Sequence, residues 1–384
     1  MSPASPESEP GPGYHGADAP DKPRSPALKR ILITGAGGSP STNFVRSLRL
    51  APEPFELVGT DADEFLLMRA ETDSRHLVPL ASDPAYLDVL NDIIDEEGVD
   101  LVHAQNDAEV RFLSDHRDAV HARTFLPAAE TVRICQDKFL SYERWHAAGL
   151  VVPETVVMHT ETDLREAFAS FGGQMWLRDT TGAGGRGALP VHDLDTARSW
   201  LDLRQGWGRY TASELLEPQT ITWMSIWHRG ELILAQGRKR LYWELSKVSQ
   251  SGVTGATGAA ITVADLQVDE IARAAVLAID PEPEALFGVD LTYDRDGVPN
   301  PTEINIGRFF TTHLFFSELG VNMPYVFVKL ACGEAPPAIP QRLNPARQGM
   351  VWIRGMDFEP VLVPMSDIEM QRDLLEQRRQ KLRA

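Results

Sequence analysis

Three oxygen-bearing side chains lie close together in the last third of the chain. Asp290 belongs to the apolar run LFGVDLTY, and Glu303 and Asn305 belong to the later run TEINI. The turn residues Asp296–Gly297 lie between the two runs, a pattern that predicts a β-hairpin. Glu303 and Asn305 are two positions apart and therefore point to the same face of their strand. Carboxylate and amide oxygens suit Mg²⁺, so the hairpin is a candidate metal site or, alternatively, a solvated acidic face.

Cationic side chains accompany this candidate site along the chain. Arg308 continues the polar row of the hairpin, and Arg238 opens the cationic run RKR. Lys138 follows a predicted helix start, and Arg178 ends a predicted strand. Phosphoryl transfer needs a metal held by oxygen ligands and cations that bind the phosphates, and Arg and Lys supply such donors. Each of these cations, taken singly, is equally consistent with an ordinary solvated surface.

A glycine-rich segment follows Arg178 and lies between two apolar runs. Its sequence is TTGAGGRGA, with glycines at Gly182, Gly184, Gly185 and Gly187. The segment is interpreted either as a flexible hairpin turn or as a mobile cover for phosphate groups. Further along, Tyr242–Ala260 is rich in Ser, Gly and Thr. A polar segment of that length inside a compact domain indicates a functional lid or disorder.

The run SELLEP is a candidate for nucleotide-base recognition. It is the end of a predicted strand that stops at Pro218. A chain that crosses between two domains exposes backbone N–H and C=O groups, which can bind the edge of an adenine ring. Glu214 and Glu217 are further candidates for accepting a hydrogen bond from the adenine amino group or from the ribose.

A second glycine cluster, ILITGAGGSPSTN, lies near the beginning of the predicted folded region. A dinucleotide-binding fingerprint needs a third glycine for close packing of helix and strand, but here Gly35 and Gly37 are followed by Pro40. We therefore favour a structural strand–turn–helix whose helix N-terminus binds an anion, such as a substrate carboxylate. A nicotinamide-binding reductase is the alternative function that this loop leaves open, with Asp61 at the end of the next strand.

The elements that must position these residues follow from hydrophobic periodicity. Short apolar runs that alternate with helical patterns predict a parallel α/β unit at the beginning of the chain. The predicted strands are Ile31–Thr34, Leu57–Thr60, Leu101–Ala104, Gln174–Leu177, Ala188–Val191, Ala212–Leu216, Thr220–His228 and Glu231–Leu241. The predicted helices include Ser41–Leu50, Ala85–Glu97, Asp193–Leu203, Leu266–Ile279, one long helix over Leu314–Cys332 and a basic helix at the C-terminal end.

Composition limits the classes of function. The 384 residues carry a formal net charge of −18, which argues against nucleic acid or an anionic membrane as the main partner. The two cysteines, Cys135 and Cys332, have no metal-type spacing and indicate a reducing compartment. No apolar run approaches the roughly 18 residues of a membrane span, and no signal-peptide core is apparent. We therefore expect a cytoplasmic location and a disordered tail over residues 1–28.

Taken in order, these parts resemble the ATP-grasp superfamily, in its branch similar to carbamoyl-phosphate synthetase. The matching stretches are DKFLSYERWHAAGLVVPET, WLRDTTGAGGRG, SELLEP, GRKRL and FGVDLTYDRDGVPNPTEINIGR. The resemblance covers about residues 31–330. It implies an α/β fold (α+β in the clasp): an ATP-grasp fold preceded by a Rossmann-like pre-ATP-grasp domain.

The resemblance also implies a role for each site residue. Lys138 and Arg178 would bind the phosphates of ATP beneath the Gly182–Gly187 loop. Glu214, Leu215 and Leu216 would line the adenine, and Glu217 would replace the ribose-binding acid of other members. Arg238 and Arg308 would steady the transferring phosphoryl group. The metal ligands would be Asp290, Glu303 and Asn305, and the cofactors ATP and Mg²⁺, with Mn²⁺ as an alternative.

The leading functional hypothesis is an ATP-dependent carboxylate–amine ligase that forms an acyl phosphate and releases ADP and phosphate. The alternatives are a phosphotransferase on the same scaffold, the nicotinamide-binding reductase, and an ATP-binding module without catalytic activity. The expected partners are small-molecule carboxylate and amine substrates, with a homodimer left open. The expected division is a tail (1–28), a pre-ATP-grasp domain (29–126), two ATP-grasp subdomains (127–210 and 211–335) and a C-terminal extension (336–384).

Overall fold

The structure is a computed structural model that describes residues 28–182, 185, 187–355 and 358–383. Its first sheet is parallel, with the strand order β3-β2-β1-β4-β5. The elements of this part are β1 (Arg30–Ile33), α1 (Ser39–Arg49), β2 (Glu56–Asp61), α2 (Glu64–Leu67), β3 (Ser74–Leu77), α3 (Tyr86–Glu97), β4 (Leu101–His103), α4 (Asp107–Asp115) and β5 (Arg123–Thr124). The chain leaves β1 towards β2 on one side and reaches β4 on the other. The loops after β1 and β4 therefore flank the point where ligands bind in open α/β sheets.

Two helices, α5 (Ala129–Gln136) and α6 (Lys138–Ala147), lead into a second, antiparallel sheet with the order β6-β9-β7-β8. Its elements are β6 (Thr155–Val157), α7 (Glu161–Ser170), β7 (Met175–Asp179), β8 (Leu189–Val191), α8 (Leu194–Leu203) and β9 (Tyr210–Ser213). The glycine-rich segment connects β7 to β8. The predicted strand–loop–strand arrangement around it is thereby confirmed.

The third sheet is antiparallel, with the order β14-β13-β10-β11-β12-β15. Its strands are β10 (Thr220–His228), β11 (Glu231–Trp243), β12 (Thr257–Val263), β13 (Ala285–Tyr293), β14 (Pro299–Ile306) and, much later in the chain, β15 (Val351–Ile353). Helix α9 (Leu266–Ile279), whose helical structure was predicted, covers one face. Its side chains Val268, Ala272, Val276 and Ile279 recur at helical spacing and are buried. The opposite face is left for polar residues and for the helices α10 (Leu314–Glu318) and α11 (Met323–Ala331).

Three sequence expectations are wrong in detail. The single helix predicted over Leu314–Cys332 is two helices, because Gly320 adopts a φ of +83° and Asn322 starts a new helix. The strand predicted over Ala212–Leu216 ends at Ser213. The polar segment predicted over Tyr242–Ala260 is shorter: β11 continues to Trp243 and β12 begins at Thr257, which leaves residues 244–256 as the connection.

The C-terminal helix α12 (Met365–Arg383) returns to the first sheet. It packs against α2, α3 and β3. Arg378 forms ion pairs with Asp92 and Glu96 on α3, and Arg379 pairs with Asp83 at 2.7 Å. The basic helix predicted from the sequence is therefore held on an acidic surface of the first unit. The predicted tail falls, except for Leu28, on residues outside the described ones, and its disorder stays a prediction. Within the described residues no helix has the length and apolar character needed to cross a membrane.

Candidate functional site

One row of side chains crosses four neighbouring strands of the third sheet. The register pairs Arg238 on β11 with Thr222 on β10, Thr222 with Asp290 on β13, and Asp290 with Glu303 on β14. Residues directly opposite each other on neighbouring strands point to the same face. Two cross-strand carboxylates thus stand beside a hydroxyl group and a guanidinium. The strand pairing slips after Asp290, a bulge of the kind that re-aims side chains near functional sites.

Asn305 joins this row two residues after Glu303. Its amide nitrogen donates to Asp290 Oδ2 at 3.0 Å, and its amide oxygen accepts from Arg308 at 2.8 Å. Asp290 Oδ1 also accepts a hydrogen bond from Thr222 at 2.5 Å. The donor set of two carboxylates and one amide fits a hard cation such as Mg²⁺. Among the described residues no group of three His, Cys, Asp or Glu side chains is suited to hold a metal, so the amide is the third protein oxygen of this candidate site.

Arg308 connects the hairpin to the first sheet. Its Nε donates to Asp107 Oδ1 at 2.5 Å, at the start of α4. Burial disfavours the charged guanidinium, but Asp107, Glu303 and Asp290 together raise the pKa of Arg308. Arg308 is therefore a fixed cation between the hairpin and the loop that follows β4.

Lys138 approaches the hairpin from α6, and Arg178 approaches it from β7 of the second sheet. The Lys138 side chain is 9% exposed, and its Nζ lies 4.0 Å from Glu303 Oε2 and donates to the carbonyl of Gly182. Arg178 Nη2 donates to the carbonyl of Thr302 at 3.0 Å, and its Nε is buried without a partner. Burial lowers the pKa of Arg178, partly offset by Glu303. Both predicted cations therefore lie beside Glu303, with donors left over for an anion.

The cationic run on β11 divides between the two faces of the sheet. Arg238 and Arg240 point to the face of the row, because they are two residues apart, whereas Lys239 donates to Gln219 on the other side. Arg240, which the sequence analysis did not single out from its run, lies 3.8 Å from Asp290 with only 7% of its side chain exposed. The predicted Arg238 is 2% exposed, and its Nε and Nη1 have no partner among the described residues. The alternation of strand positions along β11 is the sequence signal that could have identified Arg240.

The glycine-rich segment meets the connection between β11 and β12. Gly185 has a φ of +69°, and a Cβ atom there would lie 2.6 Å from the carbonyl oxygen of Val253. Gly187 has a φ of +85° and approaches the hydroxyl of Tyr210. Gly182 accepts from Lys138, whereas the predicted Gly184 lies outside the described residues. The glycine-rich segment and the β11–β12 connection therefore touch each other, and only glycine allows so close an approach at Gly185.

The predicted adenine segment lies between the second and third sheets. Glu214 is exposed, and its carboxylate accepts from the backbone N–H of Glu154 at 3.1 Å. The N–H of Glu217 donates to the carbonyl of Tyr293 at 2.9 Å. In the part of the chain that the structure describes, the N–H groups of Leu215 and Leu216 make no hydrogen bond. The segment thus has free backbone donors between two fixed ends, as predicted, but the Glu214 carboxylate is engaged locally.

The upstream glycine loop is filled by the protein itself. The N–H of Gly37 donates to the carboxylate of Asp61 at 3.0 Å. A Cβ atom on Gly37 would lie 1.9 Å from the carbonyl oxygen of Leu66 in α2. A dinucleotide pyrophosphate would need this space for its approach to the loop. The geometry therefore argues against the nicotinamide-binding alternative, and Pro40 occupies the place of the third glycine.

A cavity of about 270 Å³ opens between α5, α6 and the hairpin. Its lining includes four of the charged residues described above, Asp107, Lys138, Glu303 and Arg308, together with Gly182 and Asn305. Cys135 also borders this cavity, and burial raises the pKa of its thiol well above the ordinary value. The sequence-predicted residues from three separate segments thus line one cavity, with a thiol that stays protonated.

No protein-family model matches the sequence, and no curated protein matches it either. Solved structures do match. The biotin carboxylase domain of 2-oxoglutarate carboxylase from Hydrogenobacter thermophilus, solved with MgADP, ADP and bicarbonate, is 15% identical, with a TM-score of 0.64 over 83% of this chain and 72% of that one. An L-amino acid ligase from Bacillus licheniformis is 15% identical, with a TM-score of 0.63 over 81% and 76%. N5-carboxyaminoimidazole synthase from Aspergillus clavatus, solved with ADP and 5-aminoimidazole ribonucleotide, is 16% identical, with a TM-score of 0.63 over 84% and 81%. Identities this low show a shared fold, and the predicted ATP-grasp fold with its N-terminal α/β domain is confirmed.

Proposed function

We propose that this protein is an ATP-dependent ligase that activates a carboxylate as an acyl phosphate and joins it to an amine, releasing ADP and phosphate. The observation that carries the proposal is the cross-strand carboxylate pair of Glu303 and Asp290, with Arg240 3.8 Å from Asp290 and with Lys138 and Arg178 on the facing side. Paired carboxylates for a metal and several buried cations for phosphate groups are the equipment of phosphoryl transfer. The solved structures with this fold add support, because those named above are a carboxylase domain, a ligase and a synthase, and two of them were solved with ADP.

Asp290, Glu303 and Asn305 are the residues proposed to hold Mg²⁺, or Mn²⁺ as an alternative. Such an ion supplies positive charge to the phosphate oxygens and lowers the cost of transferring a phosphoryl group. Lys138 and Arg178 would bind the phosphates from the other side of the cavity. The glycine segment, with Gly182, Gly184, Gly185 and Gly187, would cover them.

The free N–H groups of Leu215 and Leu216 support a base-binding role for this segment. We propose that Leu216 reads the adenine edge through its backbone and that Leu215 lines the ring. Because the carboxylate of Glu214 is engaged by Glu154, we assign Glu214 to holding the segment in place, and Glu217 to the ribose.

The proposed reaction has two steps, transfer of the phosphoryl group and attack by the amine. A carboxylate oxygen attacks the γ-phosphorus, and the bond from that phosphorus to the β,γ-bridging oxygen breaks as ADP leaves. The amine then attacks the acyl carbon, loses a proton, and displaces phosphate. Arg308 and Arg240 are the best-placed cations to stabilise the negative charge of both steps, whereas Arg238 lies two residues before Arg240 on β11. The two touching loops would exclude water, which otherwise hydrolyses the acyl phosphate.

We also propose a domain division, the substrates, a cellular location and an oligomeric state. We assign residues 29–126, 127–210 and 211–335 to the pre-ATP-grasp domain and the two ATP-grasp subdomains, with 336–384 as the extension. The small-molecule partners would be one carboxylate and one amine, in the cytoplasm. A homodimer is testable by light scattering, and the H. thermophilus neighbour is itself described as a dimer.

The direct test measures ADP and phosphate released from MgATP with pools of carboxylates and amines. The ligase predicts release only when both pools are present, together with a new amide detected by mass spectrometry. Release with the carboxylate pool alone, accompanied by a stable phosphorylated product, would instead establish the phosphotransferase. Absence of turnover with all pools, despite MgATP binding, would establish a module without catalytic activity.

A further inference from the structure

Arg238 is a buried cation whose charge the described residues do not neutralise. It is 2% exposed, its Nε and Nη1 have no hydrogen-bond partner, and no carboxylate lies within ion-pair distance among the described residues. The guanidinium lies 4.5 Å from the ring centroid of Phe310. Burial and the nearby Arg240 lower its pKa to about 9, and the more distant carboxylate of Asp290 offsets this only in part. An unpaired buried charge destabilises a fold, so this position indicates a residue retained to bind something negative.

A second cation, Arg354, lies at the N-terminus of α1. Arg354, just after β15, is close enough for its charge to disfavour the charge on Arg238. Arg354 Nη2 donates to the hydroxyl of Ser39, the first residue of α1, at 3.2 Å. The N-cap Gly38 provides no side-chain cap, and the first turn of α1 contains no acidic residue. The first turn of this 11-residue helix therefore contains no neutralising acid, and the carboxylate of Asp61 accepts from the N–H of Gly37 just before the N-cap.

The segment after β14 closes the space between these groups. Phe310 stacks beneath Arg238, and the carbonyl of the next residue, Thr311, accepts from Asn43 in α1 at 2.7 Å. Thr312 has a fully buried hydroxyl group without a partner among the described residues. Where the third sheet meets α1, Arg238 and Thr312 thus have buried polar atoms without a partner among the described residues, and Arg354 adds positive charge while it donates to Thr257 and Ser39.

The position of Arg238 separates this place from the reacting centre. Asp290 and Glu303 lie two and three strands away from Arg238 in the sheet, at about 4.8 Å per strand. Arg240 already stands 3.8 Å from Asp290 and serves the reacting groups. A substrate carboxylate that is activated beside Asp290 and Glu303 would therefore not by itself neutralise the charge of Arg238.

We propose that Arg238, the N-terminus of α1 and Arg354 bind a second anionic group of the carboxylate substrate, so that this substrate carries at least two negative charges. The inference rests on the proposed ligase function for the identity of the ligand. The group that this subsite recognises is a carboxylate or a phosphate.

The test uses thermal unfolding of the full chain with saturating AMP-PNP and Mg²⁺, which fill the nucleotide site. Inorganic phosphate and acetate are titrated separately, and the anion with the larger effect identifies the group. We expect one of them to raise Tm by at least about 1 °C. The Arg238→Met variant keeps the contact with Phe310 and should lose that response. The Lys239→Gln variant, which removes the neighbouring cation on the opposite face, should keep it.

Two further measurements distinguish an anion site from a structural role. Without ligands, Arg238→Met should melt at or above the wild-type temperature, because an unpaired buried charge is removed. Ser39→Asp should favour the N-terminus of α1 but weaken the anion response, since its carboxylate competes for the same donors. An equal response in Arg238→Met and wild type, no response of wild type to either anion, or strong destabilisation of Arg238→Met would overturn the proposal. Stabilisation by AMP-PNP in the same melts reports separately on the proposed nucleotide site.

Discussion

The guanidinium of Arg308 and the carboxylate of Asp107 are 2.5 Å apart although 201 residues separate them in the chain. Arg308 ends the hairpin that carries Asp290 and Glu303, and Asp107 begins the helix after β4. This ion pair joins the candidate phosphoryl-transfer row to the ligand-binding edge of the first sheet. Under the proposed function, we expect an acceptor substrate to approach from this edge of the first sheet.

Replacement of Asp107 by Asn should lower ATP turnover about 10- to 100-fold while it changes the KM for MgATP less than twofold. The amide no longer fixes Arg308, and a small displacement of a charge-stabilising group is costly for rate. Steady-state kinetics with an identified substrate pair provides the measurement. Asp118→Asn, a change at an exposed residue outside the cavity, is the matched control. A rise in KM with unchanged kcat would show that Asp107 serves nucleotide binding instead.

Replacement of Gly185 by Ala should weaken MgATP binding about tenfold. The new Cβ would lie 2.6 Å from the carbonyl of Val253 and would separate the two loops. A positive φ alone costs an alanine roughly 1–2 kcal/mol, so a control with the same strain is needed. Gly349→Ala provides it, because φ there is +75° and nothing lies within 4 Å. Calorimetric titration with MgATP compares the two variants. Equal affinities would show that the contact between the two loops does not contribute to MgATP binding.

The same loop should change its protease sensitivity when nucleotide binds. Within Gly182–Gly187, Arg186 is a tryptic cleavage site. We expect ATP with Mg²⁺ to slow cleavage there, because a covered phosphate holds the segment closed. Cleavage at Arg229, in the turn between β10 and β11, is the internal reference. Equal cleavage rates at Arg186 with and without nucleotide would argue against a covering role.

Glu109 should make the protein less stable as the pH rises from 5 to 8. It is 6% exposed, and burial is the main cause that raises its pKa to about 7. Between its ordinary pKa of 4.5 and about 7, the folded state binds more protons than the unfolded state, so the free energy of unfolding falls with increasing pH. The stabilisation that protonated Glu109 gives the folded state is complete below about pH 4.5 and is lost as the pH rises through 7.

Urea denaturation at pH 5 and pH 8 measures this effect. Glu109→Gln keeps the size of the side chain but does not titrate, so its free energy of unfolding should fall less than that of the wild type, by about 3 kcal/mol at most. The exposed Glu166→Gln variant should behave like wild type. The same pH dependence in Glu109→Gln and wild type would show that another group titrates.

Much of the fold could be predicted because its periodicity is strong. Helix α9 coincides with the prediction of Leu266–Ile279, and the hairpin turns at Asp296–Gly297 as expected. The break between α10 and α11 was missed although Gly320 and Pro324 were visible, because the apolar pattern continues across them. The hydrophobic pattern, interpreted without the helix-breaking residues Gly320 and Pro324, favoured one long helix.

The site was predictable as far as strand alternation and motif order reach. Alternation brought Glu303 and Asn305 together correctly, and applied to the RKR run it would also have indicated Arg240. The pairing of Arg308 with Asp107 and the approach of Arg354 to Ser39 could not be predicted. These contacts depend on how distant segments pack, and β15 contributes only three residues to the third sheet.

The central claim is that Glu303 helps to hold the metal that accompanies ATP. Calorimetric titration with AMP-PNP, with and without Mg²⁺, tests it most directly in wild type, in Glu303→Gln and in the control Asp296→Asn, which changes an exposed residue at the turn of the same hairpin. We predict that Mg²⁺-dependent binding of AMP-PNP is at least about tenfold weaker in Glu303→Gln than in wild type and is unchanged in Asp296→Asn. Wild-type affinity and ATP turnover in Glu303→Gln would contradict it.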